Sequence, residues 1–338
     1  MAGDDLVTPF DVVCVGESMA LVAPDPPGPL AAGGPMRLDV AGAESTVACY
    51  LALLGARTAW AGAVGADPLG DLVRTRIAAY GVDVSHVVVD PGAPTGVFFK
   101  DPGPDGTTVH YYRAGSAASR QGPRTLPAAR IVHLSGITPA LSASCAALAD
   151  AVLAAPDALH SFDVNYRPGL WPAGEAAPVL AALADRADVV FVGLDEARAL
   201  WGVHSPGDVR ALLPSPRTVV VKDAAHGAHA LPRAAGTPAA AGTPATAGTS
   251  ATARTPAAAG TDGPAGTARD VVFVPAPPVD VVEPVGAGDA FAAGYLHGLL
   301  RGAPEAARLA WGHRVAAAAL RVPTDVPPPG TTLLEGTR

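Results

Sequence analysis

The residue types best able to do chemistry stand together at Gly286-Ala287-Gly288-Asp289, within the segment VEPVGAGDAFAAGY of residues 282–295. Gly286, Ala287 and Gly288 carry almost no side chain, and a helical pattern follows at once. A glycine-rich turn into a helix start leaves backbone N–H groups unpaired and presents the positive end of the helix dipole. Such a tip binds phosphate, or charge developing on one. Asp289, in the first helical turn, has two readings. It could simply complement the dipole. Beside an anion-binding turn, however, a carboxylate would repel a bound phosphate. It makes sense there as the acceptor of a proton from a hydroxyl that attacks that phosphate. The string has the spacing of neither a Walker loop nor a dinucleotide-binding glycine motif.

These groups need a frame. Strand-like segments at residues 11–16, 58–64, 131–134, 160–164, 189–192 and 219–222 alternate with helical stretches at 45–54, 69–80, 144–154, 175–184 and 287–300. The alternation predicts an α/β fold of three layers, a mostly parallel central sheet with helices on both faces. Ligands of such sheets bind outside the carboxyl ends of the strands. Residues 277–282 read as a further strand leading into the glycine turn. Residues 36–41, 95–101 and 107–113 are β-like but fall outside the rhythm, and the turn PGPDG at 102–106 joins the last two as a hairpin. A small β-sheet lid built from about 17–41 and 92–113 is therefore expected. The chain reads as one domain over 1–338, interrupted at 233–269 by a low-complexity Ala/Gly/Thr/Pro segment. That segment has too few large apolar residues to offset its chain entropy and is expected to be disordered.

Composition narrows the class. The chain is 49% hydrophobic but 5% aromatic, so its core must come mainly from Ala, Val and Leu. A formal net charge of −8 argues against nucleic acid as a partner. No apolar run is long enough to span a bilayer, and residues 1–10 lack a basic region followed by an apolar one, so a cytoplasmic protein without membrane contact is expected. Cys14, Cys49 and Cys145 are odd in number and set in apolar segments, which reads as reduced and buried. His110, His133, His160, His297 and His313 lack the pairing that zinc requires.

On these residues the chain resembles the ribokinase-like (PfkB-type) carbohydrate kinases, over nearly its whole length apart from 233–269. The family signature G-A-G-D-x-F-x-x-G is matched at Gly286, Ala287, Gly288, Asp289, Phe291 and Gly294, while Glu283-Pro284 stands where Asp-Thr is commoner. Ala41, Gly42, Ala43 and Thr46 fill the slot of a Gly-Gly turn opening a helix that usually carries Asn. The resemblance implies phosphoryl transfer from ATP with Mg²⁺, a monovalent cation such as K⁺ being a further candidate. It implies Asp289 as base and the amides of Gly286, Ala287 and Gly288 as the anion hole. It puts nucleotide contacts at Asn165, Gly193, Lys222, Gly227, Ala228, Gly286, Gly288 and Trp311. Glu196, in the slot of an N-x-x-E motif whose Asn is here Gly193, would reach magnesium through water or phosphate. Of 23 basic residues only Lys100 and Lys222 are lysines; Lys222 could pair with phosphate or be a surface residue.

Three segments point within the family: YYRAGSA at 111–117, LSGITPAL at 134–141, and DVNYR at 163–167 with Leu170-Trp171. They resemble 2-keto-3-deoxygluconate kinases. A sugar acid needs cations, and arginine offers a planar fork matching a carboxylate. The resemblance therefore implies sugar-acid contacts at Arg113 and Arg167, with Tyr111 donating its hydroxyl. Gly42, Ala43, Thr46, Phe98, Asp289 and Asp325 complete the implied substrate set. The alternatives are a kinase for a neutral sugar such as fructose and a non-catalytic sugar- or nucleotide-binding homologue. Open edges on the lid sheet predict a homodimer or higher oligomer.

Overall fold

Val12, Val13, Cys14 and Val15 are apolar at successive positions, which suits a strand covered on both faces. In the computed structural model all four are wholly buried within an eight-stranded sheet. The structure describes residues 9–104, 106–234 and 271–333. The 233–269 segment lies outside the described residues except for its first two positions, as does most of 1–10.

The chain begins with β1 (Phe10–Val15), β2 (Met19–Pro24), β3 (Met36–Ala41), α1 (Ala43–Leu53), β4 (Thr58–Ala61), β5 (Ala63–Gly65) and α2 (Pro68–Ala78). It continues through β6 (Val88–Asp90), β7 (Val97–Gly103), β8 (Gly106–Tyr112), β9 (Ala129–Ser135), α3 (Ile137–Leu141) and α4 (Ala143–Ala154). Then follow β10 (Leu159–Asp163), α5 (Ala173–Ala184), β11 (Val189–Gly193), α6 (Leu194–Trp201), α7 (Pro206–Leu212) and β12 (Thr218–Asp223). The last described elements are β13 (Gly227–Pro232), β14 (Val272–Pro275), α8 (Ala287–Leu300) and α9 (Glu305–Ala319).

The large sheet has the order β14-β13-β12-β11-β10-β9-β1-β4. From β12 to β4 every pairing is parallel, and β13 and β14 extend the edge antiparallel. Helices α4, α5, α6 and α7 bury Leu148, Leu180, Ala197 and Val209 on one face. Helices α1, α2, α8 and α9 bury Tyr50, Val73, Tyr295 and Leu309 on the other. This is the three-layer α/β arrangement expected from the alternation. A second sheet, β3-β2-β7-β8, stands apart; only its β2–β7 pairing is parallel. Its own small core is Met19, Leu21, Ala23, Ala41 and Phe98.

Two expected strands are corrected. Residues 58–64 form two strands in different sheets, because the chain bends at Gly62 over the Trp60 ring, which leaves no room for a Cβ (2.1 Å). Residues 277–282 are irregular; the strand is β14, and Pro275, Pro277 and Pro278 lack the N–H donors needed to extend it.

Candidate active site

Three neighbouring parallel strands end together at Asp163, Gly193 and Asp223, and α8 begins beside them. Gly286, the residue before α8, has φ +83°, a left-handed conformation that glycine adopts without strain. Asp289 is therefore the third helical residue, in the turn whose N–H groups have no intrahelical partner. A Cβ at Gly288 would sit 3.4 Å from Lys222 Nζ, so the ammonium lies directly against the glycine turn.

Lys222 is not on the surface. Its Nζ donates to Asp163 Oδ2 at 2.9 Å, and burial, which alone would lower its pKa, is outweighed by the charges of Asp163 and Glu196, which raise it. Asn165 takes the uncommon φ of +42° just past β10, a conformation Asn tolerates better than most residues. There its N–H donates to Asp163 Oδ1 at 3.2 Å and its Nδ2 donates to Asp289 Oδ1 at 3.3 Å. Glu196, in the first turn of α6, accepts from Gly193 N–H at 2.8 Å, and its Oε1 lies 3.7 Å from Arg167 Nη1. Asp289 keeps part of its surface open. Enclosure elsewhere pushes its carboxyl well above the usual range, Asp163 adds to that push, and Arg167 and Lys222 oppose it. Three acids and two cations thus surround the tip of α8, and burial raises the proton affinity of two of the acids, Glu196 and, well above the usual range, Asp289.

Arg113 is held elsewhere. Its Nη1 donates to the buried Glu17 Oε2 at 2.7 Å, and its guanidinium lies 4.4 Å above the Tyr111 ring centre. Tyr111 is 46% exposed and tilts against Phe98 with ring centres 5.6 Å apart, whereas Phe98 is buried in the small-sheet core. The two arginines have different anchors, Glu17 for Arg113 and Glu196 for Arg167. Gly42 caps α1, where a Cβ would come within 2.3 Å of Glu17 O, and Ala43 follows as the first helical residue. Thr46 and Asp325 line a cavity of about 220 Å³ together with Ser45, Arg76 and Tyr80, and Asp289, Arg113 and Arg167 take no part in it.

The expected nucleotide residues at the far edge are placed differently from the cluster. Gly227 has φ +145°, and a Cβ there would collide with Val274 O at 2.4 Å, so its glycine serves the β13–β14 pairing. Ala228 is wholly buried in the core. The Trp311 ring packs on Gly298 and edge-on to His297, ten residues along α8 from Gly288, or about 15 Å at the helical rise.

Sequence reasoning passed over Asp163, the residue that joins Lys222 to Asn165, although D-x-N at a strand end is a local signal for a carboxylate bonding its own backbone two residues on. It also passed over Glu17, whose signal is an acid two residues after the apolar run of β1.

The pfkB family carbohydrate kinase model matches residues 10–252 and 257–328. The 2-dehydro-3-deoxygluconokinase of Bacillus subtilis (strain 168) is 32% identical over 332 residues, 94% of this chain and 91% of that protein. The 2-dehydro-3-deoxygluconokinase of Thermoproteus tenax is 36% identical over 234 residues, 65% of this chain and 71% of that protein. Among solved structures, a PfkB protein from Polaromonas sp. JS666 superposes with a TM-score of 0.75 at 33% identity, covering 94% of this chain and 98% of that one.

Proposed function

Since the chain belongs to the pfkB family of carbohydrate kinases, and so transfers phosphate to a sugar hydroxyl, we propose that its acceptor is a sugar acid, 2-keto-3-deoxygluconate, phosphorylated at its 6-hydroxyl. One observation carries the choice of an acid. The Arg167 guanidinium is half-exposed beside Asp289; its Nη1 donates to the Tyr166 carbonyl at 3.2 Å and lies 3.7 Å from Glu196, too far for a hydrogen bond, so the remaining N–H groups are the ones open to a carboxylate. The names of the relatives that cover most of this chain support the same choice.

In this reading Asp289 accepts the proton of the attacking hydroxyl. Its raised pKa suits it to hold that proton, and the oxygen then attacks the terminal phosphorus of ATP as ADP leaves. The N–H groups at the start of α8 stabilise the charge that builds on the transferred group, and Lys222, held by Asp163, adds a fixed positive charge beside them. Asn165 orients Asp289 through its Nδ2. Arg167 grips the acid, joined by Arg113 through the N–H groups that its pairing with Glu17 leaves over, with Tyr111 donating its hydroxyl. Closure of the small sheet over the cleft excludes water.

The residues present fit magnesium carried with ATP. Asn165 Oδ1 is buried without a hydrogen-bond partner, and Glu196 adds carboxylate oxygens among the charges that act on Lys222. Magnesium takes much of its coordination from phosphate oxygens and water, so one or two protein oxygens suffice. Bound there, the ion would supply neutralisation of phosphate charge.

Turnover of ATP against a panel of sugar acids and neutral hexoses tests the proposal. Product with 2-keto-3-deoxygluconate at a kcat/KM well above that with fructose is the expected result; equal or better use of fructose would refute it.

A further inference from the structure

Lys100, the chain's other lysine, lies outside the transfer site. It stands in the middle of β7, on the same buried face as Phe98. Its Nζ is 3.3 Å from Glu283 Oε2 and 3.4 Å from Asp325 Oδ1, and only 5% of its side chain is exposed. Neither acid belongs to the small sheet. Glu283 stands three residues before Gly286, and its second carboxylate oxygen accepts from Val285 N–H at 3.2 Å, so it shapes the approach to the glycine turn. Asp325 follows α9; its backbone carbonyl lies 3.2 Å from the place a Cβ at Gly286 would take and accepts from the Tyr50 hydroxyl at 3.0 Å. One ammonium therefore gathers the segment that leads into Gly286 and the segment that packs against it, and ties both to a strand of the other sheet.

We propose that Lys100 is a positioning residue that couples the small sheet to the glycine turn, so that the sheet covers the cleft only with the phosphate-binding amides in place. Electrostatics gives the coupling its strength. Burial raises the Asp325 carboxyl, Lys100 lowers it, and Glu283 raises it again. Without the ammonium, two neighbouring carboxylates would face each other in a poorly solvated gap, and a buried charge without its partner forces either protonation or separation. Either response frees the two segments that define Gly286. The contacts are long for charge-assisted bonds, and one cation serves two acids, so a small shift of β7 changes both at once.

The inference rests on phosphoryl transfer to a sugar hydroxyl and on no particular sugar. Its test compares K100M, which keeps the side-chain bulk without the charge, and K100R, which keeps the charge, with the wild type. Two quantities are measured on folded protein: kcat, and ADP released per sugar phosphate formed. In K100M kcat is expected to fall about ten- to a hundredfold, the scale on which a displacement of about 1 Å acts, and ADP is expected to exceed product. K100R is expected to move both back toward the wild type. A merely destabilised protein gives fewer active molecules but leaves the ratio at one. Folded K100M with wild-type kcat and a ratio of one would overturn the proposal. Where K100M does not fold, E283Q carries the same test, with a smaller rise in the ratio expected and an unchanged ratio refuting it. A wild type with no sugar-dependent ADP release would sink the transfer reading itself, a result separate from any effect at Lys100.

Discussion

The two lysines stand in buried clusters of opposite construction. Lys222 rises from β12, and its partner Asp163 ends β10, two strands away in the same parallel sheet, with β11 paired to both. Main-chain ladders hold that pair in register before any side chain is placed. Lys100 also rises from a strand, but its partners come from irregular segments on either side of α8 and α9. The first cluster is preorganised by sheet pairing, and the second exists only when two bodies meet. Groups that must be fixed before reaction belong in the first, and groups that report closure belong in the second.

The comparison can be broken most severely at Asp289. D289N is expected to lose about 10²–10⁴-fold in kcat while staying folded, since a positioned base contributes that much. In the wild type kcat/KM should fall as pH drops through a value above the usual carboxylate range, because the raised carboxyl works only when ionised. Near-normal turnover of folded D289N would end the assignment. K222M comes next, with a loss of about 10²-fold in kcat. Its ADP-to-product ratio should stay at one, in contrast to K100M, because Lys222 belongs to the preorganised cluster; a raised ratio would erase the distinction between the lysines. R167A is expected to raise KM for the sugar acid about ten- to a hundredfold, the loss of one charged hydrogen-bonded contact. It should matter little for a neutral hexose, and equal effects on both would remove Arg167 from acid recognition.

The smallest effect is on stability. Burial pushes Glu44 up to about 7, against hydrogen bonds from Ser135 and Thr138, while one of its oxygens has no partner. Its ordinary value is 4.5, so between pH 4.5 and 7 the folded protein keeps a proton that the unfolded chain gives up. Stability is therefore lost as pH rises through that window, by on the order of 3 kcal/mol for this group. E44Q should narrow the difference in melting temperature between pH 5 and pH 8; an unchanged difference would show that Glu44 titrates normally.

Much of this was legible in the chain. The parallel strands were marked by unbroken apolar runs such as 189–192 and 219–221, because a strand covered on both faces has no polar side to show. The start of α8 was marked by small residues before a helical pattern. Helix α9 was not, since its first half, EAARLAWG, mixes charge and apolar residues around the whole helix. At Gly227 the sequence showed a place of close backbone approach but not to what, and the structure puts β14 against it. Lys222 and Asp163 were each visible as residues, but their pairing spans 59 positions and depends on strand order.

By itself the sequence determined the layers, the family and the acid at the helix tip, because hydrophobic period, glycine placement and short motifs act over a few residues. Tertiary structure alone decided which charges neutralise which: Lys222 with Asp163, Arg113 with Glu17, and Lys100 between Glu283 and Asp325. A charge buried far from water must take whatever partner the fold brings within reach, and residue spacing along the chain carries no record of that distance.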